Sequence, residues 1–502
     1  MSHLAILPIL IPLLVATLQL IPPLHNSIHR QRISSIVAVL ALLAVSILLV
    51  VNSTEQTEIY ALGGWQPPFG IVLVADRLAS MMVFLTSALA LGALLYACAG
   101  EDNTGMYFHP LFLFQLTGIN GAFLTGDLFN LFVFFEVLLI ASYGLLIHGG
   151  GKQKTLASVH YVTLNLVGSA FFLFALGILY GTMGTLNMAD MASTVFRLEA
   201  QEAVLAQTGA LLLLLVFGLK SALLPLHFWL PRTYTSVSAP IAALFAIMTK
   251  VGIYSIYRVH GVVFGEGAGL LANVASPWIW PLAILTLIVG SIGILASPTL
   301  RTLTSNLVLV SVGTLLLTLV IGGGDGLGAG LYYMLHTTLV TGALFLLADL
   351  ISKQKGKAED RFVPSRPIVQ SGLLGGLFFI AAMSVIGLPP LSGFVGKVLI
   401  LQASMGENGM LWVWSLILVS GLVTLVAVSR AGTTLFWKVS GDRSDAQPAS
   451  RLQILAVAWL LLASPLLVIF GGPATEFTDA AATQLQQAYP SVKEMMNAVN
   501  QP

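Results

Sequence analysis

A run of about twenty apolar residues recurs fourteen times in this chain, with only short polar or glycine- and proline-bearing stretches between. An α-helix needs roughly 20 residues to cross the hydrocarbon core of a bilayer. The runs lie near 4–24, 33–52, 72–98, 108–125, 129–148, 157–181, 207–230, 237–260, 277–296, 303–322, 327–351, 369–402, 411–437 and 452–471. Apolar residues make up 57% of the chain and charged residues 9%, against about 25% charged in soluble domains. So few charges cannot solvate a folded surface, which excludes a soluble globular protein. In lipid every backbone donor and acceptor needs an internal partner, so runs of this length read as helices. The expected fold is an all-α integral membrane protein of about fourteen transmembrane helices.

Loop charges give the orientation. Arg30, Arg32, Lys152, Lys154, Arg232, Arg301, Lys353, Lys355, Lys357, Arg361, Arg366, Lys438, Arg443 and Arg451 fall in alternate loops. The other loops and the tail hold only Arg197 and Lys493. Cytoplasmic loops accumulate Lys and Arg, so this bias puts both termini outside. The first run lacks a basic leader and carries Pro8 and Pro12, which reads as a retained helix. Near 185–205, Met188, Met191, Val195, Leu198 and Val204 sit at roughly helical spacing. They suggest an amphipathic helix on the outer surface, the alternative being an ordinary loop. The tail from Gly472 is polar and is expected in water or on the surface.

Several chemistries are excluded. The net charge of +1 offers no basic face for nucleic acid. Cys98 alone permits neither an intrachain disulfide nor a thiolate metal cage. GGGK at 149–152 lacks the spacing of a phosphate loop, and no HExxH, CxxC or paired-histidine pattern occurs. No metal or cofactor site is expected. His109 and His148 are loop residues without partners in sequence.

Five ionisable residues lie near mid-span, each on a different run: Glu136, Lys220, Lys250, His336 and Lys397. A charge at the bilayer centre costs ~2.5–3.5 kcal/mol on insertion scales, so such residues usually face protein or water and mark a pathway. Lysine suits a proton path, because burial weakens its hold on a proton and a nearby carboxylate strengthens it. Each also has a structural reading. Glu136 could merely tie two helices together, Lys250 could snorkel, and His336 could be a core histidine bonded to a carbonyl. His227, in PLHFWLP, stands evenly between the two readings; His160 reads as interfacial. Asp76 and Arg77 read as an interfacial pair, and Arg258 and Arg430 as snorkelling residues near span ends.

Prolines add a second signal. Pro225 and Pro231 interrupt the seventh span, and Pro389 with Pro390, flanked by Gly387 and Gly393, interrupts the twelfth. Carbonyls freed by a proline must face protein or a water-filled cavity. Two broken, lysine-bearing spans in corresponding positions suggest two inverted five-helix repeats, spans four to eight and nine to thirteen. The chain then divides into 1–107 (spans one to three), 108–260 (first repeat), 277–437 (second repeat) and 438–502 (span fourteen and the outer tail).

With FFEVLLIASYGL and GLPPLSGFVGK in place, the chain resembles the antiporter-like subunits shared by respiratory complex I, membrane-bound hydrogenases and Mrp-type cation/proton antiporters. Within that group these motifs look most like the D-type component of the Mrp antiporter. The resemblance covers roughly 1–471 and implies proton-transfer roles for Glu136, Lys220, Lys250, His336 and Lys397. It departs in one place: many relatives have a lysine about four residues after the histidine, where this chain has Val340 and Thr341. The link from His336 to Lys397 must then use water or Thr337, Thr338 and Thr341. The length fits the D-type component and not the longer A-type one.

The expected function is a proton-translocating subunit of a multisubunit Na+/H+ antiporter in the cell membrane. Glu136 and Lys220 would form a switchable ion pair that feeds a lysine/histidine relay. The partners implied are a larger homologous A-type subunit and small hydrophobic subunits. The alternative is a proton-pumping subunit of a redox complex, in which electron transfer drives the same path. A scaffold that has lost transport, or a self-sufficient transporter, fits less well.

Overall fold

The computed structural model describes residues 3–321, 323–441 and 446–486. Among the described residues the regular structure is helical apart from one short hairpin. It begins with α1 (Leu7–Gln19) and α2 (Ile28–Asn52). Strands β1 (Glu58–Ala61) and β2 (Val72–Ala75) then pair antiparallel, with Glu58 opposite Ala75. Next come α3 (Arg77–Ala97), α4 (Phe108–Leu124), α5 (Leu128–Ile147), α6 (Lys152–Met183) and α7 (Met188–Thr194). The centre of the chain holds α8 (Ala200–Ser221), α9 (Trp229–Ser236), α10 (Ala239–Phe245), α11 (Met248–Arg258), α12 (Ser276–Ala296) and α13 (Leu300–Val320). The remainder is α14 (Gly323–Lys355), α15 (Ser371–Ile386), α16 (Ser392–Ala403), α17 (Met410–Gly432), α18 (Arg451–Ile469) and α19 (Gly471–Gln486).

Among the described residues, 11 helices are long and apolar enough to cross a bilayer, several of them counted across a kink. Leu4–Gln19, Ser371–Ile386 and Ser392–Ala403 are shorter apolar helices. α3, α10, α11, α13 and α14 form the buried centre. α2, α6, α12 and α17 present leucine, isoleucine, valine and phenylalanine outward, as lipid or neighbouring subunits require. Several helix starts carry ordinary side-chain caps. Asp76 accepts from Ala79 N at 2.8 Å, Asp127 from Asn130 N at 2.8 Å, and Thr299 from Thr302 N at 3.1 Å.

Three elements differ from expectation. The described part of the polar tail, up to Gln486, forms α19, whose Thr478, Ala481, Ala482 and Leu485 make one buried stripe against α14 and α3. The expected surface helix is only α7 plus a 3-10 turn; Met188, Met191, Val195 and Leu198 are buried there, but Val204 belongs to α8 and is 63% exposed. The eighth span is also divided, at Ala246 and Ile247, between α10 and α11.

Polar pairings differ too. Asp76 pairs with Arg258 at 2.5 Å and not with Arg77, whose guanidinium donates to Thr54 O. Arg258 is 1% exposed and does not snorkel. His109 is partnered by Asp102 at 3.0 Å and Ser35 at 3.1 Å. Arg32 holds Asp102 through two bonds of 2.6 Å. Cys98, Asp102 and His109 approach within 4.8 Å of one another, but Arg32 already satisfies the carboxylate, so a cation would have to displace it.

Candidate functional site

The seventh and twelfth spans are broken in the same manner. α8 ends at Ala222 (φ 61°), where Leu223 N returns to Gly218 O at 2.8 Å. α15 ends at Gly387 (φ 84°), where Leu388 N returns to Met383 O at 3.0 Å. Both are left-handed helix stops that reuse orphan carbonyls. Pro225 lies in the first break, and Pro389 and Pro390 lie in the second. Pro231 does not interrupt a helix: it is the third residue of α9, in the first turn, where no amide partner is lost.

Lys220, 6% exposed, sits just before the first break. Its Nζ donates to Asn165 Oδ1 at 3.0 Å and lies 5.8 Å from the Phe135 ring centroid. Glu136, on α5, accepts from Ser169 Oγ. Asn165 and Ser169 are one turn apart on α6. The expected Glu136–Lys220 ion pair is therefore not closed in this structure, and each member is held by a neutral group on the intervening helix.

Lys250, fully buried on α11, donates to Ser311 Oγ of α13 at 2.8 Å and reaches Thr249 Oγ1 at 3.4 Å. Gly252 lets α11 approach α8 closely: a Cβ there would stand 2.7 Å from Ser221 N. Three residues after Ser311, Thr314 lines a narrow cavity with Tyr333, His336, Thr337, Thr341, Lys397, Ser420 and Thr424. Its volume of ≈ 20 Å³ admits a water molecule.

His336 is 2% exposed, and its Nδ1 lies 2.8 Å from Ser392 Oγ at the start of α16. Ser392 meets Ser464 Oγ at 2.8 Å, and Ser464 meets Ser384 Oγ at 3.0 Å. Lys397 Nζ donates at 2.7 Å to Ile386 O, the last carbonyl of α15 before its stop. The ammonium thus caps the broken helix end, where the macrodipole is negative.

Thr337 and Thr341 line the His336–Lys397 cavity, whereas Thr338 does not and donates to Met334 O of its own helix at 2.7 Å. His227 is half-buried in the 3-10 turn Leu226–Phe228, with its ring against Phe228. Sequence reasoning missed Asn165, Ser169, Ser311, Thr314, Ser392, Ser420 and Thr424. Only pairing across helices, or for Thr314, Ser420 and Thr424 a place in the cavity lining, distinguishes these from ordinary hydroxyl and amide residues.

A membrane bundle with broken helices and a row of buried ionisable groups defines an antiporter-like multi-pass membrane protein. The chain belongs to the family of transmembrane proteins described as NADH:quinone oxidoreductase/Mrp antiporter, whose profile matches residues 125–424. That stretch carries all five mid-span ionisable residues. The chain is 37% identical to the D component of the Na(+)/H(+) antiporter of Bacillus subtilis (strain 168), over 99% of each chain. It is also 37% identical to the D component of a probable K(+)/H(+) antiporter of Rhizobium meliloti (strain 1021), over 97% of this chain and 96% of that one. Its fold matches a chain of the Mrp complex from Dietzia sp. DQ12-45-1b with a TM-score of 0.85 and 25% identity, covering 99% of this chain and 100% of that one.

Proposed function

We propose that this chain is the proton-carrying, D-type subunit of a multisubunit cation/proton antiporter, a transporter subunit and not an enzyme. The carrying observation is the way the three mid-span lysines are held, Lys220 and Lys250 buried and Lys397 partly so. Lys220, Lys250 and Lys397 donate to an amide oxygen, hydroxyls and a carbonyl, and among the described residues none forms an ion pair. An ammonium withdrawn from water with only neutral partners is poorly compensated, so a mobile carboxylate can govern its charge. When the Glu136 carboxylate moves from Ser169 toward Lys220, it stabilises the ammonium. When it withdraws, the proton is pushed along the row to Lys250, His336 and Lys397. Thr337, Thr341 and a water in the cavity serve in place of the lysine that many relatives carry after the histidine, with Thr338 and His227 as lesser candidates.

In this reading spans four to eight and nine to thirteen are inverted repeats, supported by the matched left-handed stops of α8 and α15. The basic loops face the cytoplasm, and both termini lie outside. Sodium and protons are the proposed ions, and the named relatives include both Na+/H+ and K+/H+ types. A larger homologous A-type subunit and small hydrophobic subunits are the proposed partners. The test is Glu136→Ala in the assembled complex. Cation/proton exchange in vesicles should disappear while assembled protein stays near normal, and retained exchange rejects the ion-pair mechanism.

A further inference from the structure

We propose that His260 is a proton-carrying residue at the floor of a water-accessible vestibule on the face opposite the basic loops, joined to Lys250 by a row of hydroxyls on α13. The inference rests on the mid-membrane proton path above and adds an exit that the row itself does not contain.

The vestibule is a cavity of about 710 Å³ with His260, Glu266, Asn273, Ser276, Leu319 and Gln486 in its lining. Its walls come from loops that alternate with the basic ones, from the ends of α12, α13 and α14 beside them, and from Leu485 and Gln486 of α19. His260 is 5% exposed, and neither ring nitrogen has a hydrogen-bond partner among the described residues. Leaving a buried polar group unpaired costs ~1–3 kcal/mol, and a leucine or phenylalanine would fill the same space without that cost. His260 also sits in a π-turn, Val259–Val263, a feature that occurs often at functional sites.

The route inward is lined by hydroxyls that donate to carbonyls of their own helix, Thr318 to Leu315 O at 2.7 Å, Thr314 to Val310 O at 2.9 Å and Ser311 to Val308 O at 2.6 Å, so waters have to bridge one to the next. One turn before His260, Tyr257 Oη donates to Leu315 O at 2.7 Å and lies 3.5 Å from Thr318 Oγ1. Thr318, Thr314 and Ser311 follow down one face of α13 at helical spacing, and Ser311 receives Lys250 at 2.8 Å. Leu319 and Val320, the next residues after Thr318, already line the vestibule. A hydroxyl both donates and accepts, so such a row can pass a proton between waters. Among the described residues, Glu266, on the same loop as His260, is the other ionisable group that lines this cavity. Arg258, two residues away, is committed to Asp76 at 2.5 Å.

The experiment uses the assembled complex in vesicles, with Glu136→Ala run in parallel. His260→Ala and His260→Gln should each lower exchange at least tenfold with normal assembly. Imidazole at millimolar concentration on the cell-exterior side should restore much of the His260→Ala activity and little of the His260→Gln activity, since glutamine fills the space. Ser276→Cys should react with a membrane-impermeant maleimide from that side only. Exchange within twofold of the parent, a loss that imidazole restores from neither side, or an unreactive Ser276→Cys each overturns the proposal. If Glu136→Ala retains exchange, the mid-membrane path itself fails. If Glu136→Ala is inactive while the His260 variants exchange normally, only the vestibule assignment fails.

Discussion

Asn165 sets the state in which Lys220 is held, because its amide oxygen is the neutral acceptor that takes the place of Glu136. Asn165→Leu leaves the ammonium without that acceptor, and exchange should fall at least tenfold. Asn165→Asp supplies a fixed counter-charge. It should also abolish exchange, since the lysine can no longer unload, but thermal stability should be equal to the parent or higher. Normal exchange in Asn165→Asp refutes the loading scheme. Away from the membrane centre, burial raises the proton affinity of Asp102, but the bonds from Arg32 and His109 outweigh it and hold the carboxyl below the ordinary carboxylate range. A carboxylate depressed in the folded state contributes its stability fully above the unfolded value and loses it as pH falls through the folded one. The melting temperature of the complex should therefore drop below about pH 4, and Asp102→Asn should lower it at pH 7 and flatten that acid limb. Charged residues were legible in the sequence because lipid makes them rare. Asn165 and Ser169 were not, because uncharged polar residues occur throughout such helices and acquire meaning only from what lies across the interface.

At the scale of elements, hydropathy located the long helices well, and the proline clusters located the breaks in the seventh and twelfth spans. It missed the division between α10 and α11, where AALFAIMTK contains no helix breaker and the turn follows from packing. It also missed β1 and β2, four residues each, too short for an alternating pattern to register. α19 was hidden because half of it is polar, and its buried stripe of alanine, threonine and leucine is weakly apolar. The breaks themselves carry a prediction. Gly387 adopts φ 84°, and a Cβ there would stand 2.8 Å from Lys397 Cδ. Gly387→Ala should cost about 1–2 kcal/mol in backbone conformation and displace Lys397 from the Ile386 carbonyl. A fall of several degrees in melting temperature together with slowed exchange is expected. Ala222→Gly, at the matching stop of α8, relieves the same kind of strain (φ 61°) and should leave both unchanged or improved.

For the whole molecule, the row of buried groups ends at two residues that are only partly buried, Glu136 and Lys397. Glu136 lies between Val133 and Ile140 on the open side of α5, and Lys397 lies between Phe394 and Val398 on α16; all four apolar neighbours are at least 39% exposed. α5 packs against α4 and α6, whereas α16 packs against α14, α15, α17 and α18, so the two ends open on different faces. A lipid-facing charge at this depth costs ~2.5–3.5 kcal/mol, and a neighbouring subunit with a polar or ionised group there removes that cost. Both faces should therefore be covered in the assembly, each by a different neighbour. A photo-crosslinking amino acid at Ile140 and another at Val398, in separate variants of the complete complex, tests this directly. Each should yield an adduct with another protein of the assembly, and the two adducts should differ in mass. Adducts with lipid alone at either position would mean that the row ends within this chain, and its terminal charge would then have to be removed by proton uptake at Glu136 or proton loss at Lys397 rather than balanced by a partner.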